Sequence, residues 1–111
     1  MPSIKIETSI VLSKAQEQAL AIEAGKLAAE LLKKPLPVMQ VRVESGITMA
    51  FGGDIADDSA HISIALIGRI AEESRALLPG KFTTLLARYG ADPGKVFLNY
   101  AESDASSWGW V

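Results

Sequence analysis

The sequence predicts an α+β domain in which two βαβ units form one four-stranded mixed sheet, with two helices on a single face. Three observations carry this. Four stretches alternate apolar and polar residues with period two. A helical segment separates the first stretch from the second, and another separates the third from the fourth. The order strand, helix, strand, loop, strand, helix, strand therefore uses one plan twice, without obvious residue identity between the halves. Each helix must cross between parallel strands, and such crossovers are right-handed.

The first strand is Ile4-Lys5-Ile6-Glu7-Thr8-Ser9-Ile10. Ser13 and Gln16 then have capping-box spacing at the start of a helix over about 14–33. Leu20, Ala24, Leu27, Ala28 and Leu31 form its apolar stripe. Pro35 and Pro37 stop it. The second strand is Met39-Gln40-Val41-Arg42-Val43-Glu44, and the third is His61-Ile62-Ser63-Ile64-Ala65-Leu66. A second helical segment covers roughly 70–89. Pro79-Gly80 lies inside it, so the spacing predicts a kink or a restart there, with Pro79 near a new first turn. Gly90 and Pro93 end that segment, and Val96-Phe97-Leu98-Asn99-Tyr100 is the fourth strand. Clean alternation means that one face of the sheet lacks a thick apolar cover. That face carries Lys5, Glu7, Gln40, Arg42, Glu44, Ser63 and Asn99, and in a ring-shaped oligomer it would line a wet channel.

The 111 residues suit one domain, 1–111, and no linker or low-complexity stretch divides them. Net charge is −2, with no basic stripe to attract nucleic acid or a membrane surface. With no cysteine, disulfides, thiol catalysis and cysteine-based metal sites are excluded. No basic segment precedes an apolar run at the start, and no stretch reaches the length of a membrane span. A cytoplasmic location is the expectation, and release without a signal peptide stays compatible with it.

Pro2 follows the initiator methionine. Removal of Met1 before so small a residue would leave a secondary amine. Burial in an apolar pocket, or a nearby cation, would keep that amine neutral and able to act as a general base. The plainer role is a proline tolerated before a first strand. Lys34 closes the first helix as a favourable C-terminal cation, or binds a substrate carboxylate. "MAFGGD", residues 49–54, is a turn after a short extended piece. Neither a phosphate loop nor a dinucleotide fingerprint is present. Asp54, Asp57, Asp58 and His61 lack the spacing of a calcium or zinc site and suit a solvated turn. Trp108 and Trp110 in "SSWGWV" suit packing over a pocket, on a neighbour, or back on the chain's own core.

Together the features resemble the macrophage migration inhibitory factor family of the tautomerase superfamily, over nearly the whole chain. The resemblance rests on "MP" at the start, "KP" at Lys34-Pro35, "MAFGG", "IGRI" at Ile67–Ile70, "DPGKVFLNY" at Asp92–Tyr100 and "GW" near the end. It implies a homotrimer whose sheets surround a channel, with active sites between adjacent subunits. It implies Pro2 as the catalytic base for keto–enol tautomerisation of 2-keto acids such as phenylpyruvate, with no cofactor and no metal. Lys34 would bind the substrate carboxylate, and Ile67 would contribute a backbone contact. Asn99 would enter the pocket from the neighbour, and Trp110 would line it, with Trp108 at the apolar position two residues earlier.

Three departures accompany the resemblance. Phe97 stands where the animal cytokines carry tyrosine, so a pocket hydroxyl is missing and activity is expected to be altered or weak. The C-x-x-C segment is absent, which removes thiol-redox activity. Only Val111 follows the second tryptophan. The competing classes are a binding or signalling protein with vestigial activity, and a hydrolase or dehalogenase drawing on Arg42, Arg69 or Arg75.

Overall fold

The computed structural model describes residues 2–110. Met1, whose removal would free the Pro2 amine, and Val111 lie outside the described residues.

Strand β1 is Ser3–Thr8 and helix α1 is Lys14–Leu32. The capping box forms as its spacing requires: Gln16 N–H donates to Ser13 Oγ at 3.1 Å, and Ser13 N–H donates to Gln16 Oε1 at 2.8 Å. At the other end Lys33 takes the left-handed conformation at φ 55°, and the Lys34 N–H donates to the Ala29 carbonyl at 3.1 Å. Pro35 and Pro37 then divert the chain through a 3₁₀ turn, Leu36–Val38, into β2, Gln40–Glu44. α1 packs on β2 through Gly25 among others, where a Cβ would meet Val41 Cγ2 at 3.4 Å, an ordinary van der Waals contact.

β1 is shorter than the period suggests. Its alternation runs to Ile10, but the Thr8 hydroxyl donates to the Ser59 carbonyl at 2.8 Å and accepts the Ile10 N–H at 3.1 Å. This side-chain-built turn takes the chain out of the sheet. A further pair, β3 (Met49–Phe51) and β4 (Asp54–Ala56), forms a separate antiparallel hairpin. Gly52 and Gly53 both have positive φ at its tip, as a two-residue hairpin turn demands.

β5 is Ala60–Ile67, α2 is Glu72–Ala87, and β6 is Val96–Ser103, three residues longer than its alternating stretch. The sheet order is β2-β1-β5-β6. β1 is parallel to β2 and β5 to β6, each pair joined by its helix, while β1 and β5 run antiparallel. Ile4, Ile6, Ile62, Ile64 and Leu66 face the helices and are buried with Leu20, Ala24 and Ala28 of α1 and Leu78, Phe82, Leu85 and Leu86 of α2. Each large side chain in that layer contributes roughly 1.5–3 kcal/mol of burial free energy. Among the described residues no helix covers the opposite face, where Phe97 and Asn99 stand exposed. No described helix is long and apolar enough to cross a membrane.

Of the two alternatives expected at Pro79, the restart does not occur: α2 runs through it as one helix. Proline has no N–H, so the carbonyl of Arg75, four residues earlier, loses its helical partner. The Tyr100 hydroxyl of β6 donates to that carbonyl at 3.4 Å, a long bond that supplies a substitute. The Arg75 guanidinium in turn lies 4.7 Å from the centroid of the Tyr100 ring. A tertiary contact thus offsets a local helix breaker. Pro79→Ala should stabilise the protein by about 1–3 kcal/mol. Tyr100→Phe should cost about 0.5–1.5 kcal/mol, and less in the Pro79→Ala background where the carbonyl has its helical donor back. Urea denaturation of the four proteins measures this, and equal Tyr100→Phe costs in both backgrounds would remove the explanation.

Candidate active site

Pro2 precedes a strand that is paired on both sides. Ser3 lies opposite Gln40 of β2 and Ala65 of β5. The Gln40 N–H donates to the Pro2 carbonyl at 3.2 Å, and Ser3 Oγ donates to Gln40 Oε1 at 2.8 Å. The Pro2 ring is fully buried. A cleft of about 320 Å³ opens beside it, at the small end of the range for ligand sites. Pro37, Val38 and Met39 form one wall, and Trp108, Gly109 and Trp110 form the other.

The tryptophan wall is placed by the end of β6. A 3₁₀ turn over Ala105–Ser107 carries the chain back, and the Trp108 N–H donates to the Ala105 carbonyl at 3.1 Å. The Trp108 indole Nε1–H donates to Ser103 Oγ at 2.8 Å, and that hydroxyl donates to the Leu66 carbonyl at 3.2 Å. Trp110 is 68% exposed.

Of the seven residues named from the sequence, Pro2, Trp108 and Trp110 meet at this cleft. Lys34 is half-buried at the C-terminal end of α1, on the same side of the fold, but does not line it. Ile67 ends β5 at that end too, opposite Ser103. Phe97 and Asn99 are elsewhere. Phe97 is 63% exposed on the open sheet face, with its ring 5.5 Å from that of Phe51. Asn99 Oδ1 takes Ser63 Oγ and His61 Nε2 as partners, each at 3.0 Å. The register pairs Asn99 with Ser63 and Ser63 with Lys5, three residues along β1 from Pro2.

Arg69 and Arg75 do not line the cleft but gather on Glu102 of β6. Arg75 is bonded to Glu102 Oε1 at 2.8 Å, Arg69 stands 3.8 Å away, and the Ile70 N–H donates to Glu102 Oε2 at 2.7 Å. Glu102 thereby fastens the loop after Ile67 to β6. Asp58 pairs with Lys95 at 3.2 Å, and His61 stands on β5, as its place in the third alternating stretch predicts. Among the described residues no three acidic or histidine side chains converge to hold a metal ion.

Sequence reasoning missed Val38, Met39, Gln40 and Ser103 as parts of the site. The Pro35–Pro37 bracket marks the turn that brings the first three to Pro2. Nothing local marks Ser103, whose partners are distant in sequence or beyond a turn.

A doubled βαβ unit with a buried proline at residue 2 beside a cleft is the plan of the tautomerase-superfamily fold. The chain matches the family model of macrophage migration inhibitory factor over residues 1–111 and belongs to that family. It is similar to the macrophage migration inhibitory factor-like protein of Entamoeba histolytica, with 25% identity, TM-score 0.90, and 99% of this chain and 95% of that one covered. The corresponding protein of Toxoplasma gondii is 25% identical at TM-score 0.87, over 97% of this chain and 95% of that one. The protein Pt0534, solved after inactivation by 2-oxo-3-pentynoate, shares the fold at TM-score 0.87 with 14% identity, over 97% and 90% of the two chains. No curated protein sequence matches.

The Ile70 N–H first, and the Arg75 guanidinium second, hold the Glu102 carboxyl below the usual glutamate range. A depressed folded-state value means stability that is present above the unfolded value, about pH 4.3, and lost as pH falls through the folded one. Glu102→Gln should therefore lower Tm at neutral pH, with the difference from the native protein shrinking as the pH is taken below about 4. A pH-independent difference in a Tm series would assign the effect to shape rather than charge.

Proposed function

We propose that this chain is a keto–enol tautomerase for 2-keto acids of the phenylpyruvate type, with Pro2 as its general base and acid once Met1 has been removed. The observation that carries this is the fully buried Pro2 ring, fixed at the head of a central strand and facing a tryptophan-walled cleft. Burial disfavours an ammonium, so the freed secondary amine is biased toward the neutral form. The neutral amine takes the enol hydroxyl proton, and the resulting ammonium delivers a proton to the adjacent carbon. The atoms balance as an isomerisation, and no co-reactant is consumed. Lys34 serves the substrate carboxylate through a charge-assisted contact. Ile67 offers backbone, and the tryptophans shield an apolar substituent from water. The inactivator of Pt0534 is itself a 2-keto acid, which is in keeping with this substrate class.

The working unit in this reading is a homotrimer. Lys5, the residue in register with Asn99 through Ser63, lies three residues beyond Pro2, about 10 Å along the strand. Phe97 lies opposite His61, and His61 opposite Glu7, farther still. A chain cannot bring these two side chains to its own Pro2, whereas a neighbour could. The uncovered face that presents them is the surface such a neighbour would meet. Sedimentation at low micromolar concentration should show a trimer, and monomer alone would sink the shared site.

A binding or signalling role is the second reading, and Phe97 is what favours it, because the side chain brings no hydroxyl to stabilise developing charge. Enol-to-keto conversion of phenylpyruvate, followed by absorbance on protein whose N-terminus is verified by intact mass, separates the two. Turnover should appear only with Met1 absent, and Pro2→Gly should reduce it by about 10²–10⁴-fold. Lys34→Ala should raise KM by about tenfold or more. 2-Oxo-3-pentynoate should add mass to the peptide that begins at Pro2. Undiminished turnover in Pro2→Gly would end the proposal. No turnover from Met1-free native protein would put the binding role first.

A further inference from the structure

We propose that Ser103 is a positioning residue: it fixes Trp108 as a rigid wall of the Pro2 cleft and so sets a preference for aryl over small 2-keto acids. This rests on the tautomerase reading above for its substrates, but the contact itself stands on geometry alone.

Ser103 is the last residue of β6, opposite Ile67 of β5. Its backbone carbonyl accepts the Gly68 N–H at 2.9 Å, so its position is fixed before its side chain is considered. The hydroxyl has one proton to give, and it goes to the Leu66 carbonyl at 3.2 Å. That orientation leaves an oxygen lone pair for the indole of Trp108, which arrives at 2.8 Å. Donor and acceptor roles are both used, and each fixes the other.

The indole needs this partner. Tryptophan has a single donor and no acceptor. Half-buried, it loses part of its hydration, and the missing bond has to be replaced. The 3₁₀ turn brings the backbone of Trp108 back toward β6 but leaves the ring its own torsional freedom. The Ser103 hydroxyl removes that freedom at the cost of one short bond. Trp110, the other aromatic wall, is largely exposed. Of the two tryptophans, Trp108 is therefore the one anchored to the sheet. An indole anchored in the cleft wall offers a phenyl substituent an extended apolar contact that a methyl group is too small to use.

The test uses the full chain with Met1 removed and compares native protein, Ser103→Ala, Ser103→Thr and Trp108→Phe. Exchange of the C3 hydrogens with deuterium, read by NMR, reports on phenylpyruvate and pyruvate alike. Ser103→Ala should raise KM for phenylpyruvate by about three- to tenfold, with a smaller change in kcat and in KM for pyruvate. Ser103→Thr, which restores a hydroxyl, should return KM toward the native value. Trp108→Phe keeps an aromatic ring but deletes the donor, and should reproduce the Ser103→Ala effect without adding to it in the double variant. In a Trp110→Phe background Trp108 is the sole indole, and Ser103→Ala should increase its quenching by acrylamide.

Equal KM increases for both substrates, additive effects in the double variant, or unchanged quenching would each overturn the proposal. If no form of the protein exchanges either substrate, the tautomerase reading fails by itself. The quenching comparison then decides the contact, with an increase upholding it and no change overturning it.

Discussion

A chain end is ordinarily the least ordered part of a domain, yet Pro2 is buried and its carbonyl is bonded to the Gln40 N–H. The rest of the structure depends on how that is achieved. β1 starts one residue after the proline and lies between β2 and β5, so it is held on both edges from its first position. Ile4 and Ile6, fully buried against the helices, fix the strand's rotation. An edge strand would leave one side of the first residues unpaired, and the terminus would fray. The central strand turns a terminus into a defined point of the sheet.

The doubled βαβ plan then divides the sheet into two ends. Parallel pairing starts β2 beside the head of β1, which puts the Pro37–Met39 turn next to Pro2. Antiparallel pairing of β1 with β5 brings the far end of β5, and with it the far end of β6, to the same place. The tail leaving β6 therefore needs only a 3₁₀ turn to lay its tryptophans over the cleft. The same register sends Phe97 and Asn99 away from their own Pro2. In the trimeric reading this is the reason for assembly: one face of each sheet carries groups that only another subunit's site can use.

Most of the fold was legible because its signals are periodic. Twofold alternation marked the four long strands, and one apolar stripe with a capping box marked α1. The β3–β4 hairpin escaped because three-residue strands hold too little alternation to register, and only its glycine pair spoke for a turn. At Pro79 the local signal left a restart open that does not occur, because the Tyr100 hydroxyl that bonds the freed carbonyl comes from a strand 21 residues later. In the cleft, Pro2, Trp108 and Trp110 stood out because proline beside an initiator and paired terminal tryptophans are conspicuous. Lys34 stood out by its place at the end of the first helix, whereas Ile67, Phe97 and Asn99 were named as site residues through family resemblance alone. Ser103, Gln40 and Glu102 act by tertiary hydrogen bonds, which leave no trace in spacing.

Those unmarked polar residues form a connected path. Pro79 frees the Arg75 carbonyl, and Tyr100 takes it. The same arginine crosses the Tyr100 ring and reaches Glu102. Glu102 holds the Ile70 N–H, and its neighbour Ser103 holds Trp108. The carbonyl freed by Pro79, the ion pair and the tryptophan wall thus all attach to the last four residues of one strand. Tyr100 and Glu102 bond toward α2 and the loop that leads into it, Ser103 toward the cleft. β6 thus holds the second helix on one face and the tryptophan wall on the other. Pro79 and the Glu102 carboxylate, which look like local defects on the apolar side of the fold, are the points where the second helix and its leading loop attach to that strand.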